Sequence, residues 1–203
     1  MAKQKPVPEQ EEGAYTDTSE QISFQTREEA VEHFKKVRDR LLNISNWHQL
    51  CGMASANFQL TDPSGTAVDR PAQKGDHFRI SIPGPGSTAG DGHDWVRIET
   101  IDAQTTPDHE WLAIKVHPAS NPTNASHEAA HFFTPEATST FMVLRKGNTI
   151  SAEVHGRNEK SNNQETGIVD TIRNTLVAFG AMLGFSKIQW TQLVRGLIST
   201  DTD

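Results

Sequence analysis

The sequence predicts an α+β domain in which an antiparallel six-stranded sheet or small barrel lies between an N-terminal helix and two C-terminal helices. Three observations carry this. Apolar residues recur at helical spacing after Thr26. Between Gly52 and about Arg157 the apolar period falls to two, with Gly, Pro, Asn and Asp at the breaks. Helical spacing then returns from Ile168 onward.

Residues 1–24 are rich in Pro, Glu, Gln and Lys and nearly empty of large apolar groups, so they are expected to form a disordered tail. That leaves 25–200 as a single α+β domain, and a chain of this length can bury a sufficient core without disulfides. The first helix begins at a capping box, Thr26 followed by Glu29, in which hydroxyl and carboxylate satisfy amides that the helix itself cannot. Val31, Phe34, Val37, Leu41 and Ile44 then form one apolar stripe, whose expected partner is the sheet.

Strands are expected near 53–60, 75–82, 94–102, 110–117, 138–145 and 149–157. The last two join through Lys146-Gly147-Asn148, a hairpin signal because Gly and Asn both tolerate positive φ. Apart from 118–137, the connections are too short for crossover helices, which makes the sheet antiparallel. Toward the C-terminus, Ile168, Ile172, Leu176, Phe179 and Leu183 mark a helix that Gly184 would stop. Ser186 with Gln189 is a second capping-box candidate, opening a helix whose stripe is Trp190, Leu193, Val194 and Leu197. Whether Trp190, Val194 and Leu197 dock inside the chain or against a second copy is open at this level, and with it a homo-oligomer.

This order, with strands in the middle and a helix at the end, resembles the helix-grip folds that bind lipids and small molecules. Those folds place two short helices after their first strand, where residues 61–74 here read as a loop.

Composition excludes several functions. Cys51 is the only cysteine, so neither an intramolecular disulfide nor a cysteine-based zinc site can form. A net charge of -7 argues against nucleic acid, which needs clustered Lys and Arg to release counterions. The opening residues contain no apolar stretch that could serve as a signal peptide and no run in the chain approaches the length of a membrane span, so a cytoplasmic location is the expectation.

His127-Glu128-Ala129-Ala130-His131 matches the H-E-x-x-H pattern of zinc peptidases, in which a helix sets both imidazoles on one metal and the Glu activates its water. Asn158-Glu159 further resembles the downstream Asn-Glu of thermolysin-like peptidases. The resemblance implies zinc held by His127, His131 and Glu159, with Glu128 as general base. The flanks point the other way: Asn121-Pro122 and Thr134-Pro135 leave room for little more than two helical turns. Glu159 would also fall just past a strand, whereas the resembled enzymes present their third ligand from a helix. The zinc-dependent hydrolase is therefore the alternative reading. The leading one has no catalytic residue and no cofactor. The Gly-rich stretch at 82–92 reads as a hairpin loop, and Cys51, although near His48, as a small buried residue.

Strand parity gives the remaining candidates. Phe78, Ile80, Val96, Ile98, Leu112, Ile114, Val116, Ile150, Ala152 and Val154 share the face turned to the helices. The opposite parity collects Arg79, Trp95, Arg97, Glu99, Trp111, Lys115, His117, Glu153, His155 and Arg157, a polar face carrying two tryptophans, on which Trp95, Arg97, Trp111, Lys115, His117, His155 and Arg157 are the binding candidates. The best reading is a non-enzymatic small-molecule-binding or protein-interaction module. Its ligand would lie either in a cavity between the apolar sheet face and the helices, or on the polar face around Trp95, Trp111, His117 and His155.

Overall fold

The computed structural model describes residues 6–52, 56–81, 90–124, 130–160 and 187–201. The elements run β1 (Ala14–Ser23), α1 (Arg27–Leu42), a 3-10 turn (Ile44–Asn46), α2 (Trp47–Cys51), β2 (Asn57–Thr61), β3 (His77–Ser81), β4 (Asp94–Thr105), β5 (His109–Pro118), β6 (Thr138–Lys146) and β7 (Thr149–Glu159). A helix over 187–198, here α3, follows. The helix expected from Ile168 to Leu183 and the Ser186 cap lie outside the described residues.

All strands form one antiparallel sheet in the order β1-β7-β6-β5-β4-β3-β2. The sheet has seven strands rather than six, and it is open rather than a barrel, since β1 and β2 sit at opposite edges without pairing. The additional strand lies in the stretch expected to be a tail. Composition concealed it because its half-buried positions are mostly polar, Thr16, Thr18 and Glu20, with Ile22 the one large apolar side chain among them. What orders β1 is a ladder to β7, a partner far along the chain that local composition does not reveal. β1 is followed by α1, the 3-10 turn and α2, and residues 61–74 lead from β2 to β3.

The capping box at α1 is formed: Glu29 N–H donates to Thr26 Oγ1 (3.2 Å) and Thr26 N–H to Glu29 Oε2 (3.0 Å). The β6–β7 hairpin turns at Gly147, φ +61°, with Lys146 opposite Thr149. Inside the sheet, Trp47 of α2 packs its ring against Phe58, Phe78 and Phe141, with centroids 5.5, 5.9 and 4.7 Å away. The inward strand residues join Phe34, Val37 and Leu41 of α1 and Leu193, Val194 and Leu197 of α3 in a single core. The apolar face of α3 thus docks within the chain. Its carboxyl end is held by α1, whose Arg40 donates from Nη1 to Leu197 O (3.2 Å) and Ser199 O (2.7 Å), placing a cation where carbonyls lack helical partners. Among the described residues, no helix is long and apolar enough to cross a membrane.

Candidate ligand-binding cavity

The outer face of the sheet does not gather its two tryptophans. Trp95 opens β4 while Trp111 opens antiparallel β5, eight positions from Trp95's neighbour, or about 27 Å along the strand. Trp95 is also not a surface platform. It is 2% exposed, donates from Nε1 to Gly90 O (3.2 Å), and is covered by loops that bond its backbone through Ala119 and Ala130. Simple alternation could not show this, because the cover comes from chain segments outside the sheet.

The charged residues of this face divide into two groups. On one side the charges are matched: Lys115 pairs with Glu99 (3.2 Å), Arg157 with Asp17 (2.8 Å), and His155 lies between Glu153 (2.9 Å) and Asp17 (2.6 Å). Glu153 foremost, and then Asp17, hold the His155 imidazole above its ordinary pKa against the effect of burial. Alternation places Glu99 and Glu153 on this face with their partners; Asp17 on β1 is the participant that it does not locate. On the other side, His77, Arg97 and His117 stand opposite one another on three neighbouring strands. Burial, with the field of Arg97 and then His117, pushes His77 down. Trp111 is half-buried and Arg97 exposed.

The zinc-peptidase arrangement is not supported at its described end. His127 and Glu128 lie outside the described residues. His131 sits in a bend, not a helix, with Nδ1 accepting from Phe133 N–H (3.0 Å). Burial drives its imidazole down to about 3, leaving a neutral ring. Glu159 is the last residue of β7. Cys51 is equally unsuited to catalysis, since burial pushes its thiol up to about 12. One Ser–His contact escaped the sequence reading: Ser81 Oγ lies 2.9 Å from His93 Nδ1. The neighbouring Asp91 instead accepts from Asn121 Nδ2 (2.8 Å), so no orienting carboxylate completes a triad among the described residues.

What the structure does assemble lies on the apolar side. A cavity of about 40 Å³ opens between the concave sheet and α3, walled by Phe58, Phe78, Ile80, Val96, Val116, Phe132, Phe133, Phe141 and Trp190. His131, Ser139, Glu159 and Gln189 supply its polar groups. Trp190 stands edge-on to Phe141, 5.1 Å between centroids, and joins α3 to the sheet across the cavity.

Glu159 is brought there by a backbone irregularity. Strict alternation after Glu153, His155 and Arg157 would turn it outward. However, Ala14 faces Glu159 while Thr16 faces Gly156, so β7 carries one extra residue. Asn158 takes φ +57°, and the side-chain direction beyond it reverses. The N-terminal segment fixes this bulge: Asn158 Oδ1 accepts from the amides of Glu11 (2.9 Å) and Glu12 (3.2 Å), and its own N–H donates to Gln10 Oε1 (3.0 Å). The carboxyl then lies over Gly156, where any Cβ would overlap Glu159 Oε1 and Thr16 Oγ1.

Thr16 Oγ1 donates to Glu159 Oε1 (3.2 Å), but among the described residues Oε2 is buried without a partner, and so is Gln189 Nε2. Gln189 Oε1 accepts from Ala56 N–H (2.8 Å), fixing that amide's orientation. Burial raises the Glu159 carboxyl to about 7. Sequence reading named Glu159 only as a metal ligand and missed Gln189 as anything but a cap; no local signal marks either as lining a cavity.

No family model matches the chain, and no curated protein matches it either. Among solved structures it is similar to a hypothetical protein of Helicobacter pylori at 11% identity and TM-score 0.44, covering 89% of this chain and 86% of that one. It is also similar to an uncharacterised protein of Bacillus thuringiensis (16%, TM-score 0.40, 92% and 100% covered) and to a protein of Nitrosospira multiformis (10%, TM-score 0.45, 90% and 96%). None of these descriptions names an activity.

Proposed function

We propose that the protein is a non-enzymatic small-molecule-binding module whose ligand occupies the cavity between the sheet and α3 rather than the outer face. One observation carries this reading: two buried polar atoms, Glu159 Oε2 and Gln189 Nε2, border a largely apolar cavity with no partner for either among the described residues. A buried polar atom left unpaired costs about 1–3 kcal/mol, and such atoms are few in folded proteins, so two at one cavity call for a molecule that satisfies them. On the outer face, by contrast, much of the charge is already matched within the sheet.

The volume bounds the ligand. About 40 Å³ is space for a few waters at roughly 10–15 Å³ each, whereas benzene occupies an engineered cavity of about 150 Å³. A ring-sized ligand therefore requires a wall to move, and Phe132 and Trp190, both half-buried, are the residues free to do so.

The test is native mass spectrometry of the purified, untagged protein, followed by an amide NMR titration with toluene. A retained organic molecule, or toluene-induced shifts centred on Phe58, Val116, Phe141 and Trp190, is the expected result. Shifts confined to Arg97, Trp111 and His117, or no shifts at saturating toluene, would sink the proposal.

A further inference from the structure

We infer that the cavity selects a small organic amine, with an aromatic or alkyl body between the rings and its nitrogen donating to Glu159 Oε2. This rests on the cavity being the ligand site and adds the chemistry of what enters it.

The argument is one of charge. The polar groups at the cavity are a carboxyl, a neutral imidazole, a hydroxyl and an amide, and no Lys or Arg borders it among the described residues. His131 is buried, which keeps the ring uncharged. Among the described residues, the only charge that borders the cavity is therefore negative. An anionic ligand such as a fatty acid would enter without a counter-charge and face the Glu159 carboxyl, at a desolvation cost that buried ions do not recover unpaired. A cation finds the opposite situation. An N–H donated to a buried carboxylate is among the stronger hydrogen bonds, and Phe58, Phe78, Phe141 and Trp190 line the cavity with aromatic rings, whose faces attract cations.

The construction of the site supports selection rather than accident. An extra residue in β7 aims the carboxyl inward, Gly156 leaves room for it, and Thr16 occupies one of its oxygens while leaving the other unmet. Gln189 Nε2 adds a donor that the ammonium cannot use, so a hydroxyl or carbonyl elsewhere on the same molecule would complete the match.

Four probes of nearly equal shape test this by NMR titration at pH 8: toluene, benzyl alcohol, benzylamine and benzoate. The expected order places benzylamine at least tenfold tighter than toluene and benzoate weakest, and Glu159→Gln reduces benzylamine to the level of benzyl alcohol. Toluene binding with no preference for benzylamine, or benzoate binding as well as benzylamine, would overturn the inference while leaving the cavity reading intact. If no probe shifts the cavity residues, both fall together. The wild-type order needs no variant, so a Glu159→Gln protein that misfolds does not protect the claim.

Discussion

Replacing Glu159 by Gln turns a buried acid into a neutral amide of the same shape, and the effect on stability depends on pH with a definite sign. Burial raises the carboxyl from its ordinary 4.5 to about 7, with the Thr16 hydrogen bond and Arg157 acting against the shift and Asp17 adding to it. Between those values the folded chain holds a proton that the unfolded chain has released. Wild-type stability therefore falls as pH rises from 4.5 through 7 and stays lower above it. A displacement of about two and a half units at 1.36 kcal/mol each sets a ceiling near 3 kcal/mol. Relaxation and water entry around a side chain 5% exposed reduce the measurable part to about 1–3 kcal/mol. Urea unfolding of both proteins at pH 5 and pH 8 measures it: on moving from the lower to the higher pH, Glu159→Gln should gain that amount relative to wild type. His155 also loses stabilisation as pH rises, because Glu153 and Asp17 raise it, but both proteins share that change and it cancels in the difference. A wild-type-to-variant difference equal at both pH values would refute the account of Glu159 as a buried, proton-binding acid.

Gly156→Ala should destabilise by about 1–3 kcal/mol, since the new methyl must displace the Glu159 carboxyl and Thr16; combined with Glu159→Ala it should cost less than the sum of the two, a coupling read by denaturant titration. Glu110→Ala should cost about 3 kcal/mol, because Arg145, 1% exposed and bonded to Glu110 at 2.8 Å, would keep its charge without its counter-ion. Raising salt should barely change that value in urea melts, as buried pairs are poorly screened. Thr26→Ala, which breaks the α1 capping box, should cost about 1 kcal/mol by thermal unfolding.

The features legible in the sequence are those whose causes are local. Thr26 and Glu29 are three residues apart, Gly147 and Asn148 adjoin, and the alternation of Leu112, Ile114 and Val116 is written within five positions. Features with distant causes were not legible. β1 reads as a tail because a strand of Thr, Ser and Glu is ordered by β7, and Trp95 reads as exposed because the loops that cover it lie outside the sheet. Glu159 shows the limit most clearly. Alternation points it outward, and one left-handed residue, Asn158, held by amides near position 11, points it inward. The H-E-x-x-H resemblance offers His131 and Glu159 as metal ligands only in the alternative reading, and the structure sets both at the cavity wall.

The pairing of β1 with β7 also imposes an order of events on the growing chain. Thr16 and Glu159 are 143 residues apart. At roughly 5–20 residues per second, about 7–30 s separate the emergence of one from that of the other. Throughout that interval β1 is an extended segment with no template, and loop-closure entropy makes it among the last strands to join. Because Gln10, Glu11 and Glu12 hold the Asn158 bulge, the carboxyl beneath it cannot reach its final direction until this closure is complete. A chain halted before that step would lack the inward-turned Glu159 carboxyl at its cavity.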